Sequence, residues 1–210
     1  MTYIIGSGWW CSGTEKDERT ELLGSNMIRE KGFHSLWYKS IVNNSSPEKI
    51  VIVDSNSPVK PILEDDERLE FISLNLNAGH STNHVGKFSG YSRAIFVCLE
   101  YARQCEADYF VYVEQDALLQ GNGIIEHCIE QMENKPYMFG AGDGTGGILQ
   151  QSFFIIKTAA IAEFIKRLKS IEYTDNEMSP EDKFHVAACK FGGKAIAYFR
   201  KTAKTKFLTS

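Results

Sequence analysis

The sequence predicts an α/β fold with a mostly parallel central sheet layered between helices. Continuous β-branched and aromatic runs, KIVIVD (49–54) and YFVYV (109–113), show no polar alternation, the mark of strands covered on both faces. Between such runs, apolar residues recur at helical spacing. The two patterns alternate along the chain, which calls for crossover connections and strands that run the same way.

In chain order, TYIIG (2–6) is a short strand closed by a Gly/Ser turn. Residues 15–43 have helical periodicity, with Gly32 separating two helices. KIVIVD is the second strand, ended by a Ser/Asn/Pro cluster, and LEFISLNL (69–76) is the third. Ile95, Cys98, Leu99, Ala102 and Cys105 then mark a helix that feeds strand 109–113. Ile124 to Met132 is helical, YMFGA (137–141) is a strand, and a glycine-rich loop precedes strand SFFIIK. A helix containing Ile161, Phe164, Ile165 and Leu168 follows. In SPEDKFHVAACKFGG, Ser179 is a helix N-cap, Pro180 the first helical residue, and Glu181 and Asp182 fill the first turn. KAIAYFR closes the pattern as a strand before a basic tail.

At 210 residues the chain suits one domain, 1–210, with a substantial core. A formal net charge of −4 argues against a nucleic-acid binder. The beginning, MTYIIGSGWW, lacks the basic region of a signal peptide, and no apolar run approaches a bilayer span, so a cytoplasmic location is expected. Five cysteines without a C-x-x-C pair suit free thiols, three of them on apolar helix faces.

Open parallel sheets take ligands outside the carboxyl ends of their strands. Those ends carry Gly6, Ser7, Gly8 and Trp9; Asp54, Ser55 and Asn56; Asn77 and Gly79, with Lys87 in the same loop; and Glu114, Gln115 and Asp116. Two carboxylates after a buried strand are costly without a positive partner. In an extended chain Glu114 and Asp116 point to the same side. Mg²⁺ or Mn²⁺, which take oxygen ligands and bridge carboxylates to phosphates, answers that need; the alternative is a solvated turn.

The ordered set IVIVDSNSP, FISLNLNAGH, GYSRAIFVCLEYARQC, ADYFVYVEQDALL and SPED resembles a GT-A glycosyltransferase, nearest the family-2-like inverting enzymes, over residues 2–190. In size the chain also resembles the amino-terminal glycosyltransferase domain of a multidomain chlorella-virus protein, which would place it in a host cytoplasm. The resemblance implies a Rossmann-like nucleotide-sugar half (1–119) and an acceptor half (120–210). It also implies a UDP-sugar donor, a glycan acceptor, and inverting transfer of a hexose or deoxyhexose.

By the same resemblance, Asp54 accepts a hydrogen bond from the base, and Glu114-Gln115-Asp116 stands for D-x-D, with Glu114 near the ribose and Asp116 on the metal. Trp9 either stacks on the base or packs in the core. Lys87 and Arg93 either contact the donor or are solvated helix-start charges. Asp182, then Glu181, then Asp143 in GAGDGTGG are the candidates for general base, although acids in a first helical turn also serve as caps. No His follows His185, so His185, another acid or water completes the metal shell. Arg200, Lys201, Lys204 and Lys206 either balance diphosphate charge or form a solvated tail.

Other chemistries lack their motifs. GSGWWCSG misses the third glycine of a dinucleotide fingerprint, GAGDGTGG lacks the Gly-Lys-Ser/Thr of a phosphate loop, and HSTNH lacks the catalytic Glu of a zincin. GSGWWCSG also lacks the Arg expected of a sugar-1-phosphate nucleotidyltransferase, the rival enzyme reading. The non-enzyme rival is a silent nucleotide- or glycan-binding domain.

Overall fold

A computed structural model describes residues 1–12, 24–82, 86–142 and 149–189, together with the backbone of 196–199. The elements are β1 (Tyr3–Trp9), a 3-10 turn (Asn26–Arg29), α1 (Phe33–Val42), β2 (Lys49–Asp54), β3 (Leu69–Ser73), α2 (Gly90–Gln104) and β4 (Tyr109–Val113). They continue with α3 (Ile124–Met132), β5 (Tyr137–Ala141), β6 (Leu149–Lys157), α4 (Thr158–Ser170), α5 (Pro180–Cys189) and β7 (Ile196–Phe199). One seven-stranded sheet results, ordered β3-β2-β1-β4-β6-β5-β7. Only β6 runs against the others, pairing antiparallel with both β4 and β5.

The uninterrupted apolar strands are explained by a core on each side of the sheet. Ile4, Val51, Val53, Phe110 and Tyr112 pack with α2, α4 and α5. Tyr3, Ile5, Trp9, Ile50, Ile52, Val111 and Val113 pack with α1 and α3. No helix among the described residues is long and apolar enough to cross a membrane.

β1 is longer than its pattern suggests. Gly6, Ser7 and Gly8 lie inside the strand, paired with Val51, Ile52 and Val53 of β2, and form no turn. Their glycines serve close packing: a methyl group on Gly6 would lie 2.6 Å from the Phe110 ring and 2.7 Å from Cys98 Cβ, and one on Gly8 2.9 Å from Ala94 Cβ. Helix α2 therefore sits directly on β1, which brings its amino end to the carboxyl edge of the sheet. β3 stops at Ser73, three residues short of its predicted end. Cys105, placed by periodicity on an apolar face, caps the end of α2 and is exposed. Residues 13–23, most of the first predicted helix, lie outside the described residues.

Replacing Gly6 by Ala is expected to cost about 1–3 kcal/mol by overpacking, read from urea unfolding curves. Gly32→Ala, where no atom lies within 4 Å of the new methyl, should leave stability unchanged or slightly raised.

Candidate active site

At the end of β4 the chain leaves the sheet with its backbone held on both sides. Glu114 N donates to Ser152 O on β6 (2.8 Å), while Glu114 O accepts from Trp37 Nε1 of α1 (3.1 Å) and Ala117 N (3.0 Å). Burial, then the neighbouring charge of Asp116, pushes the Glu114 carboxyl up to about 8; Ser152 opposes this and Glu181 adds to it. Burial also raises Asp116, against its own backbone amide and the nearby Arg29 guanidinium. Asp116 Oδ1 is buried without a hydrogen-bond partner.

Gln115, expected to touch the nucleotide, does something else. Its Oε1 accepts from Trp10 N (2.9 Å), and its Nε2 donates to Trp10 O (3.2 Å) and Ile28 O (2.5 Å). The amide is used up in stapling the exit of β1 and the 3-10 turn to the acidic loop. That staple sets Arg29, itself buried, within electrostatic reach of Asp116.

Helix α5 carries the acids predicted to serve as base, and their two fates differ. Asp182 is exposed and caps the helix reciprocally with Ser179: Ser179 Oγ donates to its Oδ2 (2.9 Å), and Asp182 N donates to Ser179 Oγ (3.2 Å). Glu181 is half-buried, and its charge acts on both the Glu114 carboxyl and the Tyr91 hydroxyl. The acid favoured from sequence is thus tied into the cap, and its neighbour lies within electrostatic reach of Glu114. His185 lies one turn further along, beside Cys189 Sγ (3.4 Å). Asp143 and the basic tail lie outside the described residues.

What fixes α5 is an ion pair that sequence reading missed. Lys183 Nζ and Asp175 Oδ1 are 2.6 Å apart, with side chains 2% and 0% exposed. Asp175 Oδ2 accepts from Ser89 N and Ser92 Oγ, each at 2.7 Å, so the same carboxylate caps α2. Burial alone would raise Asp175; Lys183 and these donors outweigh it and hold it below the usual carboxylate range. Lys183 also lies 5.6 Å from the centre of the Phe88 ring. The available signal was a lysine within the buried stripe Pro180, Lys183, Phe184, Ala187, a position that requires a buried anion.

The base-side residues divide. Asp54 ends β2, wholly buried, and its carboxylate accepts from Lys60 Nζ, Ser57 Oγ, Ser57 N (3.2 Å) and Ser73 Oγ (2.7 Å). Burial would raise this group too, but those donors outweigh it and lower it. The ends of β2 and β4 flank β1 on one edge, roughly 10 Å apart at two strand spacings. Asn56, with φ 50°, is exposed. Asn77 Oδ1 accepts from Gly79 N (2.9 Å), closing a turn, and Gly79 O accepts from Gly90 N (3.0 Å). Lys87 Nζ donates to Lys169 O (2.9 Å), and Arg93 Nε to Phe88 O (3.0 Å). Trp9 is only 2% exposed and packs edge-on to Trp37 with centroids 5.7 Å apart, which leaves no face for a base. Ser7 and Gly6 are equally buried, so these two β1 residues shape the core and do not line the edge, while Gly8 is half-buried against α2.

Among the described residues no three His, Cys, Asp or Glu side chains form a metal cluster, so His185 does not join the acids in one. Glu114 and Asp116 fit the other mode of binding a hard cation, in which one or two carboxylates share it with phosphates and water. The unpartnered Oδ1 of Asp116 supplies the free lone pairs.

No protein-family model and no curated protein matches the sequence, whereas solved structures match the fold. TarS 1–349 of S. aureus superposes with a TM-score of 0.52 at 12% identity, over 98% of this chain and 60% of that one. The bifunctional IspDF of Campylobacter jejuni gives 0.56 at 16% identity, over 100% and 52%. The mannosyltransferase PcManGT of Pyrobaculum calidifontis, in complex with GDP-Man and Mn²⁺, gives 0.55 at 13%, over 96% and 54%. The fold is GT-A-like. It is equally that of nucleotidyltransferase-like neighbours, and the chain spans little more than half the length of these three proteins. A GT-A-like sheet accounts for the order of β1 to β4.

Removing one partner of the buried pair, as in Lys183→Met, should cost about 3–5 kcal/mol in denaturant unfolding, because Asp175 is left buried and charged. Glu114 gives a pH signature. Between pH 4.5 and about 8 the folded protein keeps a proton that the unfolded chain has released, so stability falls as pH rises through that window. The Tm of Glu114→Gln should therefore match wild type near pH 4 and exceed it increasingly toward pH 8, in thermal melts without added cation.

Proposed function

We propose that this protein is a metal-assisted glycosyltransferase that moves a hexose or deoxyhexose from a UDP-sugar to a glycan acceptor with inversion. The observation that carries this reading is the pair Glu114 and Asp116 just after β4, the second with a buried Oδ1 that has no partner, at the ligand-binding edge of a parallel sheet, with Glu181 of α5 within electrostatic reach of Glu114. Glu114 and Asp116 would hold Mn²⁺ or Mg²⁺. A divalent cation there supplies neutralisation of the departing diphosphate.

Glu181 takes the proton from the acceptor hydroxyl. The acceptor oxygen bonds to the anomeric carbon as that carbon's bond to the phosphate oxygen breaks, and the electron pair leaves with UDP. Attack from the face opposite the leaving group inverts the centre. Tyr91, whose hydroxyl donates to Gln151 O (3.2 Å), borders the acids from α2 and keeps one wall of the site apolar. The likeness to a chlorella-virus domain rests on size and adds nothing to the chemistry.

UDP should raise the Tm, and more so with Mn²⁺ present. Glu181→Gln should keep that shift and lose transfer by about 10²-fold or more, the loss expected of a missing general base. Asp182→Asn should keep transfer and lose only the small stability of a cap. Indifference to every nucleotide overturns the proposal. Pyrophosphate release from UTP and a sugar 1-phosphate would make the protein a nucleotidyltransferase, and binding without transfer or hydrolysis a silent binder.

A further inference from the structure

We infer that Lys60, and not Asp54, reads the nucleobase, and that it selects bases that present a ring carbonyl where cytosine and adenine present an amino group. The inference rests on the nucleotide-sugar reading above and deepens it by naming the donor's base class. An ionised carboxylate has about four lone-pair sites. Those of Asp54 receive Lys60 Nζ, Ser57 Oγ, Ser57 N and Ser73 Oγ, and the side chain is 0% exposed. Nothing is left to accept the imino proton of a base, and no path leads to it.

Lys60 stands in front of it. Its ammonium donates to Asp54 Oδ2 and to Ser73 Oγ (2.6 Å), at the adjoining carboxyl ends of β2 and β3. Two of its three N–H bonds are thereby spent, yet the side chain is 47% exposed. Phe71, with its ring centre 6.0 Å from Nζ, backs the ammonium from β3. The group is a cation fixed by two partners, with one donor turned outward at the edge where a GT-A-like sheet takes its ligand. A donor that cannot accept bonds to a carbonyl and is left unpaired against an amino group. The lost hydrogen bond to a charged donor is what separates the two kinds of base. Asp54 then acts on the base only through Lys60, as its positioning residue.

The test is titration calorimetry of wild type with UDP and CDP, which exchange carbonyl for amino at C4 and N–H for a lone pair at N3, and with GDP and ADP as the purine pair, all with Mn²⁺. UDP should bind about tenfold or more tightly than CDP, and GDP more tightly than ADP, the size expected of one hydrogen bond to a charged donor. In Lys60→Met the UDP/CDP ratio should collapse toward one while UDP still binds. Should that variant fail to fold around the exposed Asp54 charge, Lys60→Gln, whose amide both donates and accepts, is expected to lose the ratio likewise. Wild-type binding without base preference overturns the inference and leaves the function standing. So does a ratio that survives in either Lys60 variant. Failure of wild type to bind any nucleoside diphosphate overturns both.

Discussion

The contact between Lys183 and Asp175 governs how α5 meets α2. An ammonium and a carboxylate taken fully out of water are tolerable only when each meets the other with further donors in place. Asp175 satisfies that condition by capping α2 through Ser89 and Ser92, and Lys183 by lying over Phe88. The pair thus joins a helix packed on β1 to a helix of the second half, and fixes the rotation of α5. With Lys183 turned inward, Glu181 is half-buried within electrostatic reach of Glu114 and Asp182 is exposed.

That rotation matters because the β4 acids are electrostatically unfinished. Burial and the neighbouring charge of Asp116 lift Glu114 to about 8. A cation with its phosphate ligands would supply the missing positive charge and draw both carboxyls back to their ionised forms. The Asp54 cluster, roughly 10 Å away along the same edge, is finished by contrast, since Lys60 and two serines close it.

Some of this was legible along the chain. KIVIVD, YFVYV and YMFGA became β2, β4 and β5 with the expected bounds, because a strand buried on both faces has no polar position to confuse the pattern. The helix cap at Ser179 was equally readable, being local. Gly6 and Gly8 were read as a turn because a glycine-bearing strand interior looks like one until a helix is seen packed against it, while Trp9 takes the packing alternative. Gln115 was misread because its partners, Trp10 and Ile28, lie far off in sequence.

The sequence by itself determined the strand–helix alternation, the parallel sheet and the gathering of polar residues at its carboxyl edge, since periodicity and turn chemistry are properties of neighbouring residues. Tertiary structure alone decided which of those polar groups are spent and which are left for a ligand. Asp54 and Gln115 are consumed by internal hydrogen bonds and Asp182 is tied to its cap, whereas Asp116 keeps a buried Oδ1 without a partner and Lys60 a half-exposed ammonium chain. The reason is physical: a polar side chain's capacity is set by the partners that folding brings to it, and those partners come from elsewhere in the chain.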